Sequence, residues 1–219
     1  NKATGETTVN SGLVLGTIYQ AGTEDKSGLI TAGLHAKGKF GKFGLSANAY
    51  IQDGDRVGDV AVSGAYLTSL DATYKTSDKV TVLAGTEIIS GVKDESAAFF
   101  PLYGTNHKFN GLMDRFYVGN YANANGLIDY NLGAKFNIGK GTSLLVKGHS
   151  FSEESNTKNG LGQEIDLVLA KEFKEFKLVA GYSQFFESDD YAEPTSKNNQ
   201  NWAWAMLIIK PTFLTGAKK

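Results

Sequence analysis

The chain has no cysteine, only three prolines, and no apolar run longer than the eight residues Trp202–Ile209. Each shortage excludes something. Without cysteine there is no disulfide scaffold and no thiolate metal site. Eight apolar residues fall far short of the roughly 18–20 that a membrane-crossing helix needs. Charge of one sign is also lacking: 22 basic residues stand against 23 acidic ones, for a net charge of -1. Nucleic acid as a partner would need a strong basic excess. The opening Asn-Lys-Ala-Thr has neither a basic n-region nor an apolar h-region, so no signal peptide is read and the chain is taken as mature or as a fragment.

Catalytic signatures are missing as well. The sequence holds no Ser-centred nucleophile elbow, no HExxH and no P-loop. Its histidines are His35, His107 and His149. Ser150 adjoins His149, but neighbouring strand residues face opposite ways and cannot form a nucleophile–base pair. Asp53, Asp55 and Asp59 offer the oxygen ligands calcium takes, without the closing Glu of an EF-hand loop. They read as a solvated acidic loop, as do Glu187, Asp189 and Asp190. The chain is read as a non-enzyme with no cofactor and no metal.

What is plentiful is glycine, at 26 residues, with 13 Phe and 10 Tyr, a composition of turns and strands. In Gly126–Ile138 (GLIDYNLGAKFNI) every second residue is apolar, from Ile128 to Ile138, and Asp129, Asn131, Gly133, Lys135 and Asn137 lie between. A period of two sends these sets to opposite faces of a strand. In a soluble sandwich the apolar face would cover a core; in an outer-membrane barrel it would meet lipid and the polar face a wet lumen.

Ten strands are predicted, at 7–20, 28–39, 41–52, 61–75, 79–90, 126–138, 142–152, 162–173, 175–187 and 202–213. Most exceed the usual five or six residues and suit the 9–11 of a tilted membrane strand. Their links alternate. Tight turns at Phe40, Thr76–Lys79, Gly139–Gly141 and Lys174 interleave with long links at 21–27, 53–60, 90–125, 153–161 and 188–201. That is the pattern of short periplasmic turns and long outer loops. No proline interrupts a strand interior: Pro101 and Pro194 lie in long links and Pro211 at the end of the last strand.

One set of rows is apolar: Ile30–Ala36, Phe43–Ile51, Ile165–Leu169 and Phe176–Tyr182 at alternate positions, with Val80, Val82, Ala84 and Ile88. The opposite rows carry the predicted lumen-lining residues Asp71, Glu87, Asp129, Lys135, Lys147, His149, Glu164 and Asp166. A mid-depth Lys or Arg on a lipid face would cost about 2–4 kcal/mol, so these face inward. Lys147 and His149, beside Glu164 and Asp166, form either a ladder selecting an anionic solute or opposite charges satisfying one another, the pairing being favoured. Two aromatic bands are predicted. One holds Tyr74, Phe136, Phe173, Phe176 and Phe213 near the turns, the other Tyr19, Tyr130, Phe185, Phe186 and Trp202 near the long links. The last strand, apolar on both faces, is left without sides.

The link 90–125 is too long for a turn and too aromatic to be disordered, so it must lie against the lumen, a partner or lipid. Its stretch FFPLYGTNHKFNGLMDRFYVG (Phe99–Gly119) resembles the signature loop of Bacteroidetes outer-membrane barrels related to the alginate-export porin family. GAYLTSLDATYK, GTEIISG and NWAWAMLIIKPTF resemble the same family, over most of Gly64–Phe213. Its members are generally longer, with more strands. The resemblance implies an all-β, transmembrane, antiparallel up-and-down barrel, with residues 1–219 forming either one small closed barrel or the C-terminal portion of a larger one. It places a constriction or docking loop at 91–125, with Phe99, Phe100, Pro101, Tyr103, Asn106, His107, Lys108, Phe109 and Asn110 in that loop; Asp114 also matches the motif.

Two functions follow as expectations. One is a porin or exporter-type barrel of the bacterial outer membrane, in contact with outer-membrane lipid, passing small solutes or a polysaccharide. The other is a structural or accessory barrel without an open pore, docked to other envelope proteins.

Overall fold

The computed structural model describes residues 8–19 by their backbone and 28–56, 60–101, 109–116, 125–155, 159–189 and 200–209 with side chains. These form ten strands: β1 (Thr8–Tyr19), β2 (Gly28–Phe40), β3 (Phe43–Arg56), β4 (Val60–Lys75), β5 (Val80–Ile89), β6 (Leu127–Gly139), β7 (Thr142–Ser152), β8 (Gly160–Glu172), β9 (Phe176–Glu187) and β10 (Gln200–Ile209). They make one all-β sheet whose spatial order is the sequence order, each strand antiparallel to the next. Among the described residues no ladder joins β1 to β10.

Every predicted strand is present. The largest extension is β3, which runs on to Arg56 instead of ending at Gln52. The register shifts between Gln52 and Gly54, where three steps of β4 from Ala65 to Val62 answer two of β3, and Gly54 at φ +119° and Gly64 at φ +62° take the irregular backbone there. Pairing then resumes at Gly54↔Val62, so much of the link expected at 53–60 is strand. At the β6–β7 turn three successive residues, Gly139, Lys140 and Gly141, take positive φ. Two glycines carry most of that bend without a Cβ penalty.

The register separates the two faces across the sheet. One continuous row reads Ser46, Asp71, Gly85, Asn131, His149, Glu164 and Phe185 from β3 to β9. The opposite face carries the predicted apolar rows, and its large side chains are exposed, Leu34 at 63% and Leu132 at 69%. Register with β9 also gives β10 its sides. Trp202 and Trp204 oppose Ser183 and Gly181 on the polar face, while Ala203, Ala205 and Leu207 alternate with them. Both Trp202 and Phe185 therefore fall on the polar-face rows. Phe185 is wholly buried. The predicted aromatic band near the long links loses these two members, because a strand residue's face is set by parity and not by its closeness to an end.

The buried core sits at one end of the sheet, where the long links leave the strands. Leu29, Val62, Leu67, Ile89, Leu127, Phe151, Leu161 and Phe185 cluster there with Phe99 and Phe116 of the 90–125 link. The described parts of that link, 90–101 and 109–116, pack against this end of the polar face.

Candidate functional site

All eight predicted lining residues share the polar face by register, and the structure ranks them by depth. Asp71 and Lys135 are exposed toward the short turns. Asp129, His149, Glu164 and Asp166 are buried under the loop. His149 is the hub of this group. Its Nδ1 donates to the Asp129 carboxylate at 2.9 Å, and its Nε2 lies 3.4 Å from Asp166 Oδ2. Its ring stacks on Phe151, with centroids 5.5 Å apart. Register sets Lys147 opposite Asp166 and His149 opposite Glu164. Of these facing residues, His149 makes its contacts with Asp129 and Asp166, and the Glu164 carboxyl lies against that of Asp166.

The loop completes the group with backbone donors. Leu112 N–H reaches Asp166 Oδ2 at 3.2 Å, and Met113 N–H reaches Glu164 Oε1 at 2.9 Å. Ser183 Oγ donates to Asp166 from β9. Asn110, buried, hydrogen-bonds Glu87. Gly111 has a φ of +85° and sits so close to Glu164 that a Cβ would fall 2.6 Å from the carboxylate. Only glycine admits both the conformation and the approach.

At the other side of the loop, Gln52 of β3 takes hold of Phe100. Its Nε2 donates to Phe100 O at 2.7 Å, and its Oε1 accepts from Phe100 N at 2.8 Å. The Arg56 guanidinium lies 4.7 Å above the Phe100 ring. Phe99 is in the buried cluster, Pro101 is partly buried and Phe109 is exposed. Tyr103, Asn106, His107 and Lys108 lie outside the described residues. Arg115 bonds Gln200 Oε1 at 2.8 Å, lies 3.7 Å from Glu187 and covers the Phe185 ring at 4.8 Å. Glu154 accepts from Tyr66 Oη at 2.7 Å and from Gly91 N at 3.0 Å, fastening the start of the loop.

Sequence reasoning did not single out Arg115, Glu154 or Ser183. Arg115 and Glu154 lie in long links, where no period marks a direction. Ser183 alternates with the apolar row Phe176–Tyr182, and that parity is its only signal.

Toward the short turns the polar face opens into a cavity of about 720 Å³. Its lining includes four lysines, His35 and the hydroxyl residues Ser46, Thr73 and Thr81, with Phe109 among its apolar members. Among the described residues no group of His, Asp and Glu is arranged to hold a metal ion. In comparison with known proteins, the chain matches no family model and no curated protein.

Proposed function

We propose that the chain forms an outer-membrane β-barrel, either closed on its own strands or as the C-terminal part of a wider wall. Small polar solutes or a polysaccharide would diffuse through its lumen, narrowed by the 91–125 loop. The observation that carries the reading is the segregation of faces: exposed apolar rows on one side, and charges and amides in register on the other. Water on both faces would leave those apolar rows without cover. Strands of 10–16 residues suit a hydrocarbon crossing.

A twisted sheet of ten strands is near the limit at which sheets curl or split. Closure would also remove the apolar edge that β10 otherwise offers for aggregation. In such a barrel the short turns would face the periplasm and the long links the outside. The likeness of Phe99–Gly119 to the loop of alginate-export barrels agrees with this reading.

A second reading, an accessory barrel without passage, is favoured by one feature. Phe99, Phe116, Leu127, Phe151, Leu161 and Phe185 are each at most 4% exposed, so the long-link end is filled with side chains. Planar-bilayer recording separates the two. Steady single-channel currents support passage; their absence under all voltages and salts supports the accessory role. Protein that stays monodisperse in buffer without detergent overturns both.

A further inference from the structure

The turn-side cavity has a chemistry of its own, and its assignment rests on the barrel reading above. Lys37, Lys39, Lys42 and Lys75 line it together with His35, and Asp71 is its one carboxylate. Lys75 reaches Asp78 at 2.7 Å, outside the cavity. Among the described residues Lys37, Lys39 and Lys42 form no ion pair within 4.0 Å. The floor is fixed. His35 Nδ1 meets Asn48 Oδ1 at 2.6 Å, and Asn48 Nδ2 donates to Ser69 Oγ at 2.7 Å. An amide oxygen only accepts, so Nδ1 carries the His35 proton and Nε2 is left for a ligand or water. Ammonium groups crowded round one cavity repel each other, and an anion among them relieves that repulsion.

We propose that this cavity binds a phosphorylated small molecule, with Lys37, Lys39 and Lys42 around its phosphate oxygens. Lysine acts as a point charge, and a phosphate brings it nearly two negative charges and three oxygens where a carboxylate brings one charge. Ser46 and Thr73 add hydroxyl donors. The Phe109 ring, 42% exposed, offers an apolar wall for the organic body.

The test is calorimetric titration of the chain, folded in neutral detergent, with inorganic pyrophosphate, glucose 6-phosphate and gluconate. The two phosphates bind and gluconate does not. K37Q/K39Q/K42Q weakens pyrophosphate about tenfold or more. K140Q/K174Q, in turns outside the cavity, leaves it unchanged. Asp71→Asn tightens it. Each variant is first checked for the gel mobility shift on heating that marks a folded barrel. Equal gluconate binding, equal loss in the turn variant, or no heat of binding from folded protein overturns the proposal.

Vesicles with and without phosphatidylglycerol form a second arm. Stabilisation by that lipid alone, with pyrophosphate inert, assigns the lysines to headgroups and overturns a soluble ligand. Should the chain prove detergent-independent, the barrel reading fails, while the same titration run in buffer still reports on the cavity.

Discussion

Gln52 holds Phe100 by both of its backbone polar groups, one amide doing for the loop what a neighbouring strand does for the sheet. Gln52 is 1% exposed and also donates to Thr31 Oγ1 at 2.9 Å. It is the point on the β3 side where the loop's placement is fixed by specific bonds instead of apolar contact.

Gln52→Leu keeps the volume and removes both bonds. Each backbone group left unpaired costs about 1–3 kcal/mol. The loop should open more often, so trypsin should cut faster after the exposed Lys93, while the heat-dependent gel shift of the sheet persists. Under the passage reading, mean conductance should rise. An unchanged cleavage rate would show that the apolar cluster alone holds the loop.

His149→Leu should be among the most damaging single changes on the polar face. It leaves Asp129 and Asp166 facing apolar carbon in a buried site, and breaking such a pair costs about 3–5 kcal/mol. Adding Asp129→Asn to that variant should recover part of the loss, because coupled neighbours are not additive. Urea midpoints followed by tryptophan fluorescence measure both. Additive losses in the double variant would mean that His149 and Asp129 act separately.

Leu132→Lys tests which solvent the apolar face meets. Leu132 is among the most exposed apolar side chains and lies mid-strand in β6. A lysine at mid-depth in lipid costs about 2–4 kcal/mol, whereas on a watered face it costs little. Folding yield into lipid vesicles should fall sharply for this variant and much less for Ser150→Lys, near the strand end of the same face. Improved solubility without detergent would contradict the membrane reading.

Gly181→Val should disturb β10 locally. The Trp204 ring lies over Gly181, and a Cβ there would meet it at 2.2 Å. Overpacking of this kind costs about 1–3 kcal/mol. The ring should be pushed off the sheet, shifting tryptophan emission toward the red. An unshifted spectrum would mean that the ring does not rest there.

Strand positions were legible because period-two alternation is local, and β7 falls where it was read, Thr142–Ser152. The lining residues were legible for the same reason. The loop was not. Phe99 and Phe116 announce burial but no direction, and what directs them is distant in sequence: Gln52 on one side, Glu164 and Asp166 on the other. Phe185 was misjudged because Phe186 beside it has the opposite face and a similar side chain, so composition could not separate them. The sides of β10 emerged only from its register with β9.

Because each strand lies beside its neighbour in sequence, assembly needs few long excursions of the chain. Hairpins joined at Gly41, at Ser77 and at Gly139–Gly141 can zip separately and then dock, each closing a short loop at small entropic cost. The 90–125 segment breaks that economy between β5 and β6. Docking of those two strands should therefore be the slow step, and shortening that segment should accelerate refolding even as it strips the carboxylates of their cover.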